Sequence, residues 1–284
     1  MDELPSFVLE LLDEIARSEG FSKYSIESEN GSKHGDNFVG VMSRIVLKGV
    51  RERDGEAIED QLNLIIKLAP TNAARREEFK VHMLFGKEAE MYNTILPKLV
   101  EFQREQGLSE EDGFFSFPKC YKAVSDDEAG HYVIIMEDLK SKEFTMYPKE
   151  NTVDINHLRL IVRELGKFHA ITFAVRDKNP ELFEECKNVK DIQMEILTGG
   201  SSFVSMFERS YDRVVAVLND EDNKDIVIAF KSKFFEHVIS FLSEGACEPF
   251  GAVTHGDCWI NNILFQYEHD VNCKWLAFIP QLMT

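Results

Sequence analysis

Basic charge is scarce in this chain of 284 residues. Thirty-two Lys and Arg stand against 50 Asp and Glu, a formal net charge of −18. Nucleic acids and anionic membranes need a basic face, so neither fits as the main partner. A nucleotide still fits, because a few local cations and Mg2+ can hold phosphates on an otherwise acidic protein. Cysteine is sparse too. Cys120, Cys186, Cys247, Cys258 and Cys273 form no CxxC pair, which speaks against a zinc site or a disulfide framework and for a reducing cytosol. No apolar run approaches the roughly 18–20 residues that span a bilayer. The opening Met1-Asp2-Glu3-Leu4-Pro5 is acidic where a secretory leader would be basic, so a cytoplasmic location is expected. Internal repeats and low-complexity segments are absent from the sequence.

What is present is 44% apolar and 29% charged, the composition of an ordinary globular protein, with length enough for one large domain or two lobes. Phe7, Val8, Leu11, Leu12 and Ile15 recur at helical spacing ahead of Gly20 and predict an opening amphipathic helix. Segments 24–29, 39–50 and 61–68 are rich in β-branched and apolar residues and predict successive antiparallel strands. A long helical stretch is predicted over 72–106, interrupted at Pro97, followed by strands at 118–124 and 131–136. Beyond 137–142 helices dominate, at 155–175, 202–217 and 222–244, before a hairpin of 263–266 with 274–279. The expected fold class is α+β, with an N-terminal sheet plus helix over 1–138 and a mainly helical part over 139–284. Chemistry is expected at the junction.

Four features carry that chemistry. His255-Gly256-Asp257-Cys258-Trp259-Ile260-Asn261-Asn262 places an Asp and an Asn five residues apart on one tight loop. In a phosphotransferase such an Asp faces the acceptor hydroxyl and the Asn holds a metal. A capped turn with Asp257 as a hydrogen-bonding turn residue is the plainer reading. Lys67, in Leu64-Ile65-Ile66-Lys67-Leu68, is a cation on an apolar strand. It suits a triphosphate, or else reaches solvent from the strand end. Glu88 shares a helix with Phe85, Met91 and Tyr92, so it can point at Lys67, although Glu77, Glu78 and Glu90 compete for that role. The turn Gly35-Asp36-Asn37-Phe38-Val39-Gly40 lets backbone N–H groups approach phosphates, and equally suits a simple hairpin. The strand ending in Glu137-Asp138-Leu139 could offer backbone to an adenine edge. His169 reads as a core histidine.

Gly35-Asp36-Asn37-Phe38, Phe85-x-x-Glu88-x-x-Met91-Tyr92, Glu137-Asp138-Leu139, Phe168-His169-Ala170 and above all the segment 255–265 resemble the ecdysteroid kinase-like family, a branch of the choline kinase and aminoglycoside phosphotransferase group. The resemblance implies a protein-kinase-like bilobal fold and ATP- and Mg2+-dependent phosphorylation of a hydroxyl on a small molecule, an ecdysteroid or a related compound. It implies Lys67, Glu88, Gly35, Asn37, Glu137 and Leu139 at the nucleotide, Asp257 as catalytic base braced by His255, and Asn262 at the metal. One departure stands out. The family pattern has an Asp-Phe-Gln after the second hairpin strand, whereas 274–284 contains no acid and the only carboxylates after Asn262 are Glu268 and Asp270. A C-terminally truncated form with impaired catalysis is therefore expected. The alternatives are an inactive nucleotide-binding protein, or a choline- or aminoglycoside-type kinase.

Overall fold

The computed structural model describes residues 4–30, 40–53, 55–188, 202–219, 221–243, 245–246, 248–268 and 272–278. Helix α1 (Ser6–Ser18) is followed by strands β1 (Phe21–Asn30), β2 (Val41–Arg53) and β3 (Glu56–Leu68). Helices α2 (Ala73–Glu78), α3 (Val81–Glu90) and α4 (Leu96–Glu105) are inserted before β4 (Cys120–Asp126) and β5 (His131–Glu137). The five strands form one antiparallel sheet in the order β1-β2-β3-β5-β4. The fold is α+β and kinase-like in this arrangement, as expected.

Period-two alternation explains both faces of the sheet. Ile45 and Leu47 on β2, Leu64 and Ile66 on β3, and Val133 and Ile135 on β5 are buried against Val8, Leu12 and Ile15 of α1. The opposite face carries Ile65, Lys67, Ile134 and Met136. Its core runs through Phe85, Met91 and Tyr92 to Phe168 and Ile171 of α5 (Ile155–Lys178) and to Ile263 and Phe265. Those last two belong to a second sheet, β6 (Thr145–Met146), β7 (Ile263–Glu268) and β8 (Asn272–Phe278), in that order.

The helical stretch after β3 breaks at Lys80, which is left-handed (φ 48), and not at Pro97. Pro97 sits in the first turn of α4, directly after a π-helical turn at Met91–Ile95, where a missing N–H is tolerated. Asp154 caps α5 by accepting from the Asn156 and His157 N–H groups. Helix α6 (Pro180–Lys187) follows at once, capped by Asn179.

The chain divides into two compact units. One holds residues 1–189 and 253–282, and the other holds 190–252. The second contains α7 (Ser202–Val217) and α8 (Glu221–Leu242), paired through Phe207, which stacks on Phe234 at 4.2 Å and meets Phe235 edge-on at 5.5 Å.

Candidate active site

Lys67 lies on the inner face of β3, opposite Met42 of β2 and Ile134 of β5. Its ammonium donates to Glu88 Oε2 at 2.5 Å, and the two side chains are 8% and 5% exposed. Helix α3 delivers Glu88 because Phe85, Ala89 and Met91 are buried on the same side. The competing glutamates stand elsewhere: Glu77 pairs with Lys80 and Glu90 is only half-buried. Burial pushes the Glu88 carboxyl above the usual carboxylate range, the Lys67 charge and hydrogen bond pull it back, and the negative charge of Asp257 pushes it up again. Glu88 and Asp257 thus feel one another, although they come from segments 169 residues apart in sequence. Glu88 Oε1 is buried with no hydrogen-bond partner among the described residues.

The loop that carries Asp257 is tightly wound. Gly256 has φ 72, where a Cβ would be strained. The Asp257 N–H donates to the His255 carbonyl, the Trp259 N–H to the Asp257 carbonyl and the Asn262 N–H to the Trp259 carbonyl, each at 2.9 Å. The Asn262 amide nitrogen donates to both the Asp257 carbonyl and Asp257 Oδ2, each at 2.9 Å. Both amide protons are therefore committed, and Oδ1 is the one atom this side chain offers to a cation. His255 is buried, with its ring 5.3 Å from that of Phe278. Lys67 thus meets Glu88, and Asp257 meets Asn262, in direct contact. Gly35 and Asn37 lie outside the described residues.

At the far end of the sheet face, the Glu137 carboxylate accepts from the Lys119 N–H at 2.8 Å and pairs with Lys142 at 2.5 Å. Gln266 of β7 donates to the Lys142 carbonyl at 2.8 Å, tying the strand after Asn262 to this joint. Leu139 is buried. His169 is half-buried away from these groups' hydrogen bonds, and burial lowers its pKa.

Two arrangements escaped the sequence reading. Arg44 of β2 donates through Nε to Asp138 Oδ2 at 2.9 Å. Ser116 donates its hydroxyl to the buried Glu164 (2.8 Å) while its carbonyl accepts from the Phe278 N–H (2.8 Å), stapling the end of β8 behind His255. Strand alternation would have put Arg44 on the Lys67 face. Nothing in the sequence flags Ser116.

Among the described residues, no group of three His, Cys, Asp or Glu converges on one point. Asp257 and the Asn262 Oδ1 are hard oxygen donors. One carboxylate with one amide suits a Mg2+ that completes its shell with phosphates, and does not suit an all-protein cage.

No curated protein and no solved structure matches the chain significantly. The family model described as the ecdysteroid kinase-like family matches residues 34–279. That span takes in the Lys67–Glu88 pair and the whole Asp257–Asn262 loop, and the chain belongs to the ecdysteroid kinase-like family.

Proposed function

We propose that this protein is an ATP-dependent kinase that phosphorylates a hydroxyl of a small molecule, an ecdysteroid or a related compound, in the cytoplasm. The single observation that carries the reading is the buried Lys67–Glu88 pair on a sheet face whose core continues into Ile263 and Phe265 of the strand that directly follows the Asp257–Asn262 loop. In this reading 1–138 is the nucleotide lobe and 139–284 carries the catalytic loop.

Lys67 would hold the triphosphate, and Glu88 would keep its ammonium in place and charged. The Glu137 and Leu139 backbones would meet the base, and the 35–40 turn the phosphates. Asp257 would orient the acceptor hydroxyl and take its proton late in transfer. His255 would brace that loop from beneath. Asn262 Oδ1 and Asp257 would hold Mg2+, which would supply positive charge to offset that of the transferring group.

The test is ATP-dependent phosphorylation of an ecdysteroid, read as phosphorylated product by mass spectrometry. Asp257→Asn is expected to lower turnover by about three orders of magnitude while ATP affinity stays within a few-fold. Mg2+ alone should bind too weakly to detect, and should bind with ATP present. A second reading, a nucleotide-binding protein without turnover, is favoured by the same donor set of one carboxylate and one amide. Metal-independent ATP binding with no product for any acceptor would establish it. Choline and aminoglycosides, run as alternative acceptors, separate the substrate classes.

A further inference from the structure

Phosphoryl transfer does not call on Arg44, yet its place in the sheet is informative. Ile45 and Leu47 point into the α1 core, so Arg44 points to the other face, the one that carries Lys67. The register sets Arg44 opposite Ile65 and Met42 opposite Lys67. Arg44 is thus two residues from the lysine along the strands, on the side towards the joint at Asp138.

That joint is firmly built. The Asp138 N–H donates to the Asn63 carbonyl at 2.9 Å, and Asp138 Oδ1 accepts from the Lys140 N–H at 3.1 Å. Oδ2 receives Arg44 Nε. From Lys67 to Asn63 is four residues of extended chain, about 13 Å. A nucleotide with its phosphates at Lys67 and its base at the joint would span this distance, over the apolar side chains of Ile65, Met136 and Leu139, and its nucleoside would pass Arg44. The Arg44 and Asp138 side chains are 32% and 14% exposed. About a third of the guanidinium side chain is open to solvent beside its anchor, and a planar guanidinium is well suited to lie against a purine ring or a ribose.

We propose that Arg44, anchored by Asp138, is a specificity residue that recognises the nucleoside half of the nucleotide, leaving the phosphates to Lys67. The inference rests on the nucleotide-binding part of the function proposed above.

Calorimetric titration with ATP and with inorganic tripolyphosphate, each with Mg2+, tests it without any assay of turnover. Arg44→Met is expected to weaken ATP by about tenfold and leave tripolyphosphate unchanged. Arg44→Lys keeps the charge but loses the plane, and should recover little of the ATP affinity. Asp138→Asn retains an oxygen for the Lys140 N–H but loses the ion pair, and should give a smaller loss, again confined to ATP. Unfolding midpoints of all three should stay near wild type; if Arg44→Met does not fold, Arg44→Lys decides. Unchanged ATP affinity in Arg44→Met overturns the inference, as does an equal loss for both ligands, which would make Arg44 a general attractor of phosphate. A wild-type protein that binds tripolyphosphate as tightly as ATP overturns it too. If wild type binds neither ligand, the nucleotide reading falls, and this inference with it.

Discussion

Lys67 and Glu88 are each costly to bury alone, and their pairing decides how the site answers to pH. In Lys67→Met the two influences that lower the Glu88 pKa disappear, while burial and Asp257, which raise it, remain. An acid whose folded pKa is raised is protonated in both states below its ordinary value of about 4.3. Stability is then lost as pH climbs from there through the raised folded value. Lys67→Met should therefore lie close to wild type in urea melts at pH 4 and fall behind by about 3–5 kcal/mol near neutrality. A pH-independent deficit would mean that Glu88 stays charged without its partner. At this scale the sequence was legible wherever chemistry is local. Asp257 and Asn262 are five residues apart and their contact follows from the turn between them. Lys67 and Glu88 were legible by residue type and by the helix face that Phe85 and Met91 define. Arg44–Asp138, 94 residues apart, and the Ser116–Glu164–Phe278 staple depend on tertiary register, which no single segment encodes.

Strands and helices were readable through periodicity, and the errors fall where periodicity is silent. The break in the helical insert is at Lys80, a residue with no sequence signature for a left-handed conformation, while Pro97 is accommodated. Helix α6 begins one residue after Asn179, and Asn-Pro reads as an ending more readily than as a cap followed by a new first turn. Strand β6 is two residues long, and only its pairing with Phe265 and Leu264 defines it. Gly49 is a similar case. It reads as a weak point in β2, but the backbone of β1 approaches so closely that an added Cβ would stand 1.9 Å from the Lys23 carbonyl oxygen. The ladder is irregular between Phe21 and Lys23, beside that contact. Gly49→Ala is expected to destabilise by about 3 kcal/mol through forced separation of β1 and β2. A chemical denaturation midpoint equal to wild type would show that the edge strand shifts without cost.

At the scale of the whole molecule, apolar burial is unevenly distributed. The unit of 1–189 and 253–282 contains both hydrophobic cores, in which Leu12, Ile66, Phe85, Ile134 and Phe265 are fully buried. In the unit of 190–252, none of the described side chains is buried, and Val217, Ile226 and Phe241 are more than 60% exposed. The α7–α8 pair relies on aromatic contacts around Phe207 and Phe234 and on the Lys231–Asp212 pair at 2.5 Å. Both helices were legible, because apolar residues at helical spacing predict a helix whether or not anything covers it. What covers a helix is set by neighbours that the local pattern does not name. Backbone opening costs most where apolar surface must be exposed with it, so slow amide exchange follows burial. Amides of α7 and α8 are expected to exchange on the order of a hundredfold or more faster than those of β3 and β5. Mass-resolved hydrogen exchange at a pH where the whole chain is folded measures this directly. Equal protection in the two units would mean that the α7–α8 surface is covered in solution, by a second copy or by another part of the chain. Dependence of that protection on protein concentration separates those two cases, since only association between copies follows mass action.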